Sequence, residues 1–393
     1  MKFSSVPTPP MPLPQTDYCL PMEEHLFTLA LTRIRGLSQP MALALYKELG
    51  SAKAVFDLLN KKESIPQQIP PKIIGMLRDG YADALKRAQE EVAFCEKGKI
   101  RILALNDEDY PARLKETADP PLVLFFLGNT NLNAPHIISI VGTRKITEYG
   151  KSICHNFLPE LKRTNPDTLI VSGLAYGVDI HAHRASLEAN LPTVGILAHG
   201  LDMIYPSLHR DTARKMLAQG GLLTEYFSGT KPDKGNFVRR NRIVAGISEA
   251  TVVVESADRG GALITANIAR DYDREVFAFP GRINDQYSAG CNKLIAEQKA
   301  ALITCAKDMT MALNWPDTSS AQQPRELSLF PEFTDEEARV CLALKGSMEG
   351  VHINKLVVDL NIPVGQLTAL LFELEMKEVV KPLAGGRYKL LDF

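Results

Sequence analysis

The stretch SIVGTRKITEYGKS, residues 139–152, runs from an apolar strand through a single glycine into a helical segment. A glycine at such a junction lets the backbone turn tightly and exposes the first amides of the helix to an anion. The turn begins with Gly142 and Thr143, and two cations follow them, Arg144 and Lys145. The stretch therefore predicts a strand–turn–helix unit with an anion-binding turn at the end of the strand.

The same alternation of strand and helix extends over residues 106–313. Short apolar runs rich in β-branched residues recur between helical stretches: LVLFFLG, HIISIVG, TLIVSG, TVGILAHG, GLLTEYF, ATVVVES, EVFAFPG and ALIT. Continuous apolar strands separated by helices are typical of a parallel sheet that is covered on both faces. We therefore predict an α/β domain with a doubly wound, Rossmann-like parallel sheet. Its ligands would meet the loops beyond the carboxyl ends of the strands.

The region before this domain has a different composition. Residues 1–22 hold six prolines and are predicted to form a flexible tail, not a secretory signal. Residues 23–105 show helical periodicity with breaks at Gly36 and Gly50, and Pro40 lies near a helix start. Two helices joined by an R-G-L-S turn resemble a SAM-like or helix-hairpin-helix module, whose turn amides can contact a backbone phosphate. A helical domain with a packing role only is the open alternative.

The region after the α/β domain is predicted to contain a linker and a third domain. Residues 314–330 are rich in Pro, Ser and Gln, as linkers are. Residues 331–393 contain three helical segments, and the pair Gly385-Gly386 then separates two short strands. This is the outline of a winged helix.

The third helical segment of that domain, PVGQLTALLFELEMKEVV, is acidic. It carries Glu373, Glu375 and Glu378 against Lys377. A helix of this sign would repel the phosphates that flank a groove of duplex DNA. Its apolar residues recur at helical spacing and are predicted to form the core: Leu367, Leu370, Leu371 and Leu374. A role in partner binding or regulation therefore fits this segment better than duplex recognition.

Composition and charge exclude several classes of protein. The 393 residues include 45 Lys and Arg against 46 Asp and Glu, so any basic patch must be local. No apolar run reaches the roughly 18 residues of a membrane helix, and we expect no membrane association. The six cysteines are scattered and form no C-x-x-C pair. We therefore expect reduced thiols and a cytoplasmic protein, without a disulfide framework or a zinc site.

A local basic patch lies in the stretch NFVRRNRIVAGISEATVVVES, which begins at Asn236, and in the residues just before it. Five cations against Asp233 give the segment a net charge of +4: Lys231, Lys234, Arg239, Arg240 and Arg242. Phe237 lies among them. A basic strip with an aromatic residue suits single-stranded nucleic acid, because cations track the phosphates and a ring stacks on a base. In the open alternative, the arginines pair with carboxylates of their own domain.

A further junction, VSGLAYGVDIHAH, contains Gly173 and Gly177, which would allow a ligand to approach the backbone closely. Asp179, His181 and His183 could be metal ligands, but their spacing does not demand a metal site. We therefore expect them to have structural roles and predict no metal. The dinucleotide fingerprint G-x-G-x-x-G is absent, and we also predict no cofactor.

The last junction contains Gly260-Gly261 between a strand and a helix, which again favours an anion. Some phosphoribohydrolases with a Rossmann fold carry a GG-x-G-T-x-x-E motif at this place. Here Asn267 stands where their catalytic Glu would be. A nucleotide-processing enzyme of that kind is the alternative function, and the missing carboxylate counts against it.

Taken in order, these motifs resemble the DNA processing protein DprA (Smf) family. The matching segments are YPARL (110–114), VGTRK (141–145), SGLAYGVDIHAHRASL (172–187), YP (205–206), Glu225-Tyr226, F-x-x-R-N-R-I-V-A-G-I-S (237–248), GGALITA (260–266) and VFAFPG (276–281). They cover the whole middle domain. The resemblance implies a protein that is not an enzyme, binds single-stranded DNA and dimerises through the Rossmann domain. It also implies a role in loading RecA onto incoming strands during natural transformation.

The resemblance also implies a set of DNA contacts. Gly142, Arg144 and Lys145 match the first DNA-contacting turn of the family. Lys234 and Phe237 match the next contact region, and Arg239, Asn241 and Arg242 match the basic block after it, where Arg242 could instead be structural. Together with the junctions above, the predicted DNA-binding residues are Gly142, Thr143, Arg144, Lys145, Gly173, Lys231, Lys234, Phe237, Arg239, Arg240, Asn241, Arg242, Gly260 and Gly261.

The chain departs from the family pattern after VFAFPG. Family members usually carry a serine or threonine where this chain has Cys291 in GCNKLI. The Gly-Ala pair that often closes the segment is replaced by Gln298-Lys299. Both departures fall at the same edge of the domain.

Overall fold

A computed structural model describes residues 19–59, 69–316, 334–344, 350–377, 379–383 and 385–391. The chain forms two compact units, Met1–Ser319 and Ser320–Phe393. Residues 1–18 of the predicted tail and residues 317–330 of the predicted linker lie outside the described residues, as does Glu378.

The described part of the first unit opens with four helices: α1 (Cys19–Leu31), α2 (Gln39–Leu49), α3 (Ala52–Asp57) and α4 (Pro71–Gly98). Gly36 and Gly50 lie in the breaks between them and have φ angles of 84° and 80°, which glycine adopts without strain. Pro40 lies in the first turn of α2, where its missing N–H costs no hydrogen bond. The region is helical as predicted, although α1 already begins inside the predicted tail.

The helices lead into a sheet of nine strands. The strands are β1 (Arg101–Ala104), β2 (Val123–Gly128), β3 (Ile137–Val141), β4 (Leu169–Ser172), β5 (Thr193–Ile196), β6 (Gly220–Thr224), β7 (Ala250–Val253), β8 (Glu275–Ala278) and β9 (Ala301–Leu302). Their spatial order is β1-β2-β6-β5-β4-β3-β7-β8-β9. The strands from β3 to β9 pair in parallel, which confirms the predicted doubly wound sheet.

Helices cover both faces of this sheet. They are α5 (Ala112–Lys115), α6 (Glu148–Thr164), α7 (Val178–Glu188), α8 (Arg210–Gln219), α9 (Lys234–Gly246), α10 (Gly261–Asp271), α11 (Ala289–Ala296) and α12 (Ala306–Ala312). Successive strand residues point to opposite faces. Ile138 and Ile140 of β3 therefore pack in one core with α6, α7 and α12. Ile137 and Val141 belong to the other core, which also contains α1 to α4, α9 and α10.

Strands β1 and β2 depart from the prediction. β2 pairs antiparallel with both β1 and β6, and β1 is an edge of the sheet although it precedes the predicted boundary at residue 105. An apolar run indicates that a strand is buried, but it does not indicate in which direction the strand runs. Antiparallel strands are common at the edge of a mostly parallel sheet. The predicted parallel sheet is therefore corrected to a mixed, mostly parallel one.

The strand order reverses beside β3. From β3 the chain continues through β4, β5 and β6 in one direction, whereas β7 lies on the other side of β3. In sheets of this kind, ligands bind in the crevice outside the carboxyl ends of the strands at such a reversal. The loops that follow β3 and β7 start at Gly142 and Val254, so the quoted stretch leads directly to this crevice.

The two departures from the family pattern after β8 lie at positions that the structure describes. Cys291 is fully buried, and its sulfur lies 3.8 Å from the carbonyl oxygen of Val253. Gln298 has a φ of 55°, in the left-handed region that glycine adopts most easily. The glutamine therefore takes the backbone conformation that explains why glycine is common at this place.

The described part of the second unit contains three helices and a small sheet: α13 (Asp335–Leu344), β10 (Val351–His352), α14 (Ile353–Leu360), α15 (Val364–Met376), β11 (Val380–Leu383) and β12 (Arg387–Leu390). The strands pair antiparallel in the order β10-β12-β11. Gly385 and Gly386 have positive φ angles between β11 and β12, as in the predicted hairpin. The four leucines predicted to face the core are buried. The unit therefore has the predicted winged-helix outline.

Within the described residues, no single helix has the length and apolar composition that crossing a membrane requires. Helices α14 and α15 have the required length and composition only when they are taken together, and they are bent by 111° relative to each other. The leucines that make α15 apolar belong to the core of the second unit.

A buried carboxylate joins the helical region to the sheet. Glu91 of α4 accepts hydrogen bonds from the amide and the hydroxyl of Ser228, at 2.8 and 2.6 Å. Arg87, one helical turn earlier, donates to Glu91 at 2.7 Å and to the carbonyl oxygen of Ser228 at 2.8 Å. The guanidinium of Arg87 also lies 5.1 Å from the ring centre of Phe227. These contacts connect α4 to the loop that follows β6.

We expect Glu91→Ala to lower the free energy of unfolding by about 2–4 kcal/mol, because it leaves a guanidinium and a backbone amide without their acceptor. Glu90 is the exposed neighbour on the same helix, and Glu90→Ala should change stability by less than about 0.5 kcal/mol. Urea unfolding followed by circular dichroism measures both variants. Equal effects would contradict a stabilising role for the Glu91 contact.

Candidate nucleic-acid interface

Helix α9 carries most of the predicted basic strip. Asp233 caps this helix, because its carboxylate accepts a hydrogen bond from the amide of Gly235 at 2.8 Å. The second half of the helix, from residue 243 to 246, is buried against the sheet. Helical residues advance by about 100° each, so the three arginines of the strip point in different directions. Arg239 is exposed, whereas Arg240 and Arg242 are buried.

Arg240 points into the domain. Its guanidinium donates to the carbonyl oxygen of Gly173 at 2.6 Å and also to that of Ile196. The carboxylate of Asp179 supplies the opposite charge. Burial raises the pKa of Asp179, and the positive charge of Arg240 opposes that rise. A Cβ atom at position 173 would lie 2.5 Å from the guanidinium and from the carboxylate, so Gly173 makes room for this pair.

Arg242 is also occupied inside the protein. It forms an ion pair with Glu225, and both side chains of the pair are less than a tenth exposed. Its Nη1 atom donates to the carbonyl oxygen of Asp119 at 2.8 Å. Burial raises the pKa of Glu225, and the positive charge of Arg242 opposes this rise.

These contacts argue against DNA binding by three of the predicted residues. Gly173, Arg240 and Arg242 are buried, and each guanidinium already binds acceptors within the domain, although Gly173 and Arg240 also line the cavity described below. The alternative interpretation, in which the arginines bind groups of their own domain, therefore applies to Arg240 and Arg242. The three arginines are close in sequence, and only the helical phase separates their directions.

The turn after β3 is firmly held. The amide of Thr143 donates to the carbonyl oxygen of Glu255 at 2.7 Å, and the amide of Val178 donates to the carbonyl oxygen of Thr143 at 3.1 Å. A Cβ atom at Gly142 would lie 2.3 Å from the side chain of Val178, so a larger residue does not fit. The turn is thus a fixed support for the two exposed cations that follow it.

An internal carboxylate occupies the start of α6. Glu255 accepts hydrogen bonds from the amide of Thr147 at 2.9 Å and from the hydroxyl of the same residue. A Cβ atom at Gly150 would lie 2.4 Å from this carboxylate. The prediction that the helix-start amides of this turn are open to an external anion is therefore wrong for α6, because a buried anion of the protein already binds there.

The remaining predicted cations are exposed: Arg144, Lys145, Lys231, Lys234 and Arg239. The guanidinium carbon of Arg144 lies 5.3 Å from the ring centre of Phe237. This cation–π contact joins the turn after β3 to the first half of α9. The structure therefore brings together the turn after β3 and the predicted basic strip.

Tyr205 extends the aromatic surface. Its ring is 46% exposed, and its centre lies 5.9 Å from that of Phe237, with the two planes inclined by 49°. The amide of Tyr205 donates to Nε2 of His199 at 3.2 Å, which helps to hold the loop. Tyr205 is absent from the predicted site residues, because a tyrosine in a loop gives no signal of where its ring points. The YP pair in the family motif was the available hint.

A cavity of about 260 Å³ lies at the reversal of strand order. The turn after β3, the first turn of α10, and Phe237 and Asn241 of α9 line it. Asn241 is half-buried, and its side-chain oxygen accepts a hydrogen bond from Nε of Arg240 at 3.4 Å. Gly260 precedes α10, and a Cβ atom at the exposed Gly261 would meet nothing within 4 Å. The start of α10 therefore leaves space for an anion.

The histidines of α7 fit the structural interpretation. His183 is buried, and its Nδ1 atom lies 2.7 Å from the hydroxyl of Thr193. Burial lowers the pKa of His183 to about 3, so the ring is neutral near pH 7. Asp179 faces Arg240, and His181 is half-buried. The part of the chain that the structure describes has no group of three or more His, Cys, Asp or Glu side chains suited to a metal ion.

Neighbouring arginines should respond differently to removal. We expect Arg240→Ala to lower the free energy of unfolding by about 3–5 kcal/mol, because Asp179 would stay buried without its partner. Arg239→Ala should change stability by less than about 0.5 kcal/mol, since its side chain is exposed. Urea unfolding compares the two variants. If Arg239→Ala were the more destabilised protein, the assignment of the buried side chain would be wrong.

Comparisons with known proteins point to one family. The family model described as DNA recombination-mediator protein A matches residues 101–314, and the model described as DprA winged helix domain matches residues 318–386. The DNA processing protein DprA of Bacillus subtilis is 42% identical over 218 residues, which cover 55% of this chain and 72% of that protein. Protein Smf of Synechocystis sp. is 30% identical over 403 residues, which cover 93% of this chain and 98% of that protein.

A solved structure gives the same result. The X-ray structure of DNA processing protein A (DprA) from Streptococcus pneumoniae is 30% identical and superposes with a TM-score of 0.59. The match covers 72% of this chain and 95% of that one. Because the first family model spans more than half of the chain and the cyanobacterial relative matches nearly all of it, the chain belongs to the DNA recombination-mediator protein A (DprA/Smf) family.

Proposed function

We propose that this protein binds single-stranded DNA at the crevice between β3 and β7 and acts as a recombination mediator without catalysis of its own. One observation carries the proposal. Arg144 lies over the half-buried ring of Phe237 and is surrounded in sequence by other exposed cations. Cations that bind phosphates beside a ring that stacks on a base are the combination that single strands require.

The proposed contact set is smaller than the one predicted from sequence. It omits the buried Gly173, Arg240 and Arg242. It retains Gly142, Thr143, Arg144, Lys145, Lys231, Lys234, Phe237, Arg239, Asn241, Gly260 and Gly261. Tyr205 joins the set as a second aromatic surface next to Phe237. In this arrangement, side chains supply most of the phosphate contacts, and the start of α10 supplies the available backbone site.

Family membership supports the wider role. The matched family is described as a recombination mediator, and the relatives from Bacillus subtilis and Streptococcus pneumoniae are described as DNA processing proteins. We propose that the protein acts in the cytoplasm, where it would protect incoming single strands during natural transformation and load RecA onto them. RecA is thus the proposed protein partner.

The alternative, a nucleotide-processing enzyme, has less support. Asn267, which stands in place of the catalytic Glu of that class, is exposed and does not line the cavity. Asp179 does line it, but Arg240 already neutralises this carboxylate. Incubation with nucleoside monophosphates, followed by chromatography for released base, would reveal such an activity.

The proposed function predicts tighter binding to a single strand than to a blunt duplex of equal length. Fluorescence anisotropy at matched salt measures both, and affinity for the single strand should fall with salt by about 0.7 log units per log unit for each phosphate contact. Arg144→Glu should weaken binding by at least about tenfold, and Phe237→Leu by about 1–3 kcal/mol through lost stacking.

Arg214→Glu is the matched control, because Arg214 is an exposed arginine on α8 outside the proposed contact set. It should bind within about twofold of the parent. Equal or tighter binding to the duplex, or an unchanged affinity in Arg144→Glu, would contradict the proposal.

The sheet also offers a surface for the proposed homodimer. Strand β9 is an edge strand and pairs only with β8 among the described strands. Leu302 on this strand is 50% exposed, and Met311 of the adjacent α12 is 65% exposed. An unpaired edge with apolar side chains is a surface that a second chain can cover. We therefore place the proposed dimer interface of the Rossmann domain here.

Leu302→Arg should convert the dimer to a monomer in sedimentation velocity, because a charge would be buried in the interface. Leu208→Arg is the control, since Leu208 is equally apolar and exposed but lies before α8. A dimer that survives Leu302→Arg but dissociates in Leu208→Arg would place the interface elsewhere.

A further inference from the structure

Helix α15 of the second unit has two apolar faces. Leu367, Leu370, Leu371 and Leu374 form the buried face. The opposite side is exposed and carries a second stripe: Gly365, Ala369, Phe372 and Met376. At about 100° per residue, these four positions fall within an arc of about 60°. Phe372 is 61% exposed and Met376 is 71% exposed, although this side of a surface helix is normally polar.

Carboxylates border this stripe on both sides. By the same helical geometry, Glu373 lies about 80° to one side of the stripe and Glu375 about 80° to the other. Both are exposed. Lys377, directly after the helix, is engaged by Glu337 at 2.6 Å. The helix itself contains no lysine or arginine, so the exposed face is apolar in the middle and acidic at both margins.

This pattern disfavours two occupants. In a winged helix that reads duplex DNA, the third helix enters the major groove, and its margins face the phosphates. The acidic margins of α15 would repel them. In a pair of two α15 helices, whether parallel or antiparallel, the acidic margins of one copy would face those of the other, because both sides of the stripe are acidic. Like charges in register destabilise such a pair.

We propose that the exposed face of α15 is a docking surface for a basic amphipathic helix of another protein. A partner helix with an apolar stripe and Lys or Arg at its margins would bury Phe372 and Met376 and pair with Glu373 and Glu375. The small residues Gly365 and Ala369 let the two backbones approach closely at one end. The flexible side chain of Met376 can adapt to the partner at the other end. This surface is independent of the proposed DNA contacts.

The test uses the full-length protein and a labelled synthetic peptide of about 18 residues, or five helical turns, made of Leu, Ala and Lys with the leucines on one face. Fluorescence anisotropy should show saturable binding. A scrambled peptide of the same composition, and a peptide with Glu in place of Lys, should bind at least about tenfold more weakly. The scrambled peptide tests whether binding requires an apolar face, and the Glu peptide tests whether binding requires positive charge.

Matched variants locate the site. Phe372→Ser and Met376→Ser should each weaken peptide binding at least about tenfold. Val358→Ser is the control, because Val358 is 78% exposed on α14 and lies outside the stripe. The double variant Glu373→Lys with Glu375→Lys should reverse the preference and favour the acidic peptide. Circular dichroism melts verify that each variant is folded, and single-strand binding should be unchanged in all of them.

Several outcomes would overturn the proposal. Equal binding of the scrambled peptide, or an equal loss in Val358→Ser, would show an unspecific surface. Self-association of the parent that Phe372→Ser abolishes would identify a second copy as the occupant. Duplex binding that Phe372→Ser abolishes would instead identify α15 as a DNA-reading helix.

Discussion

The interface depends on one buried charge pair. The guanidinium of Arg240 donates to carbonyl oxygens at the ends of β4 and β5, while the carboxylate of Asp179 on α7 supplies the opposite charge. One side chain thus joins two strand ends and two helices, and it fixes the rotation of α9 about its axis. With Arg240 turned inward, helical geometry turns Arg239 outward, and Phe237 of the same helix meets Arg144. A buried cation with acceptors inside the domain therefore determines where the exposed cations lie.

The fold could be predicted from sequence to the extent that burial and periodicity determine it. Apolar runs separated by helices indicated the doubly wound sheet, and the glycines at positions 36, 50, 385 and 386 marked real turns. The direction of β2 and the membership of β1 could not be predicted, because an apolar run is buried equally well in either direction. Likewise, the contact of Glu91 with Ser228 joins residues 137 positions apart, and no local sequence pattern predicts it.

For the site, the sequence indicated where positive charge accumulates but not which charges are free. Arg239, Arg240 and Arg242 look alike in the chain, and their different exposure follows from the orientation of α9, which the internal partners of Arg240 and Arg242 fix. Asp233 before a lysine and a glycine is a helix-start signal, but a helix start does not indicate which side of the helix is buried. Glu225 and Glu255 each follow an apolar strand, and the groups they bind lie 17 and 108 positions away in sequence. Long-range partners of this kind appear only when the chain is folded.

The carboxylate of Glu255 has a consequence for ligand size. By filling the start of α6, it takes the place where a mononucleotide would anchor its phosphate in many proteins with a sheet of this kind. A small metabolite offers only one or two anionic groups, and the carboxylate of Glu255 already occupies this position at the start of α6. The positions that remain for an anion are the open start of α10 and the exposed cations on the turn after β3 and on α9, which are spread over the crevice. Such an arrangement would suit a long polyanion that reaches several of them at once better than a single phosphate. The abundant free nucleotides of a cell would therefore compete poorly for this crevice, even though its architecture is one that commonly holds them.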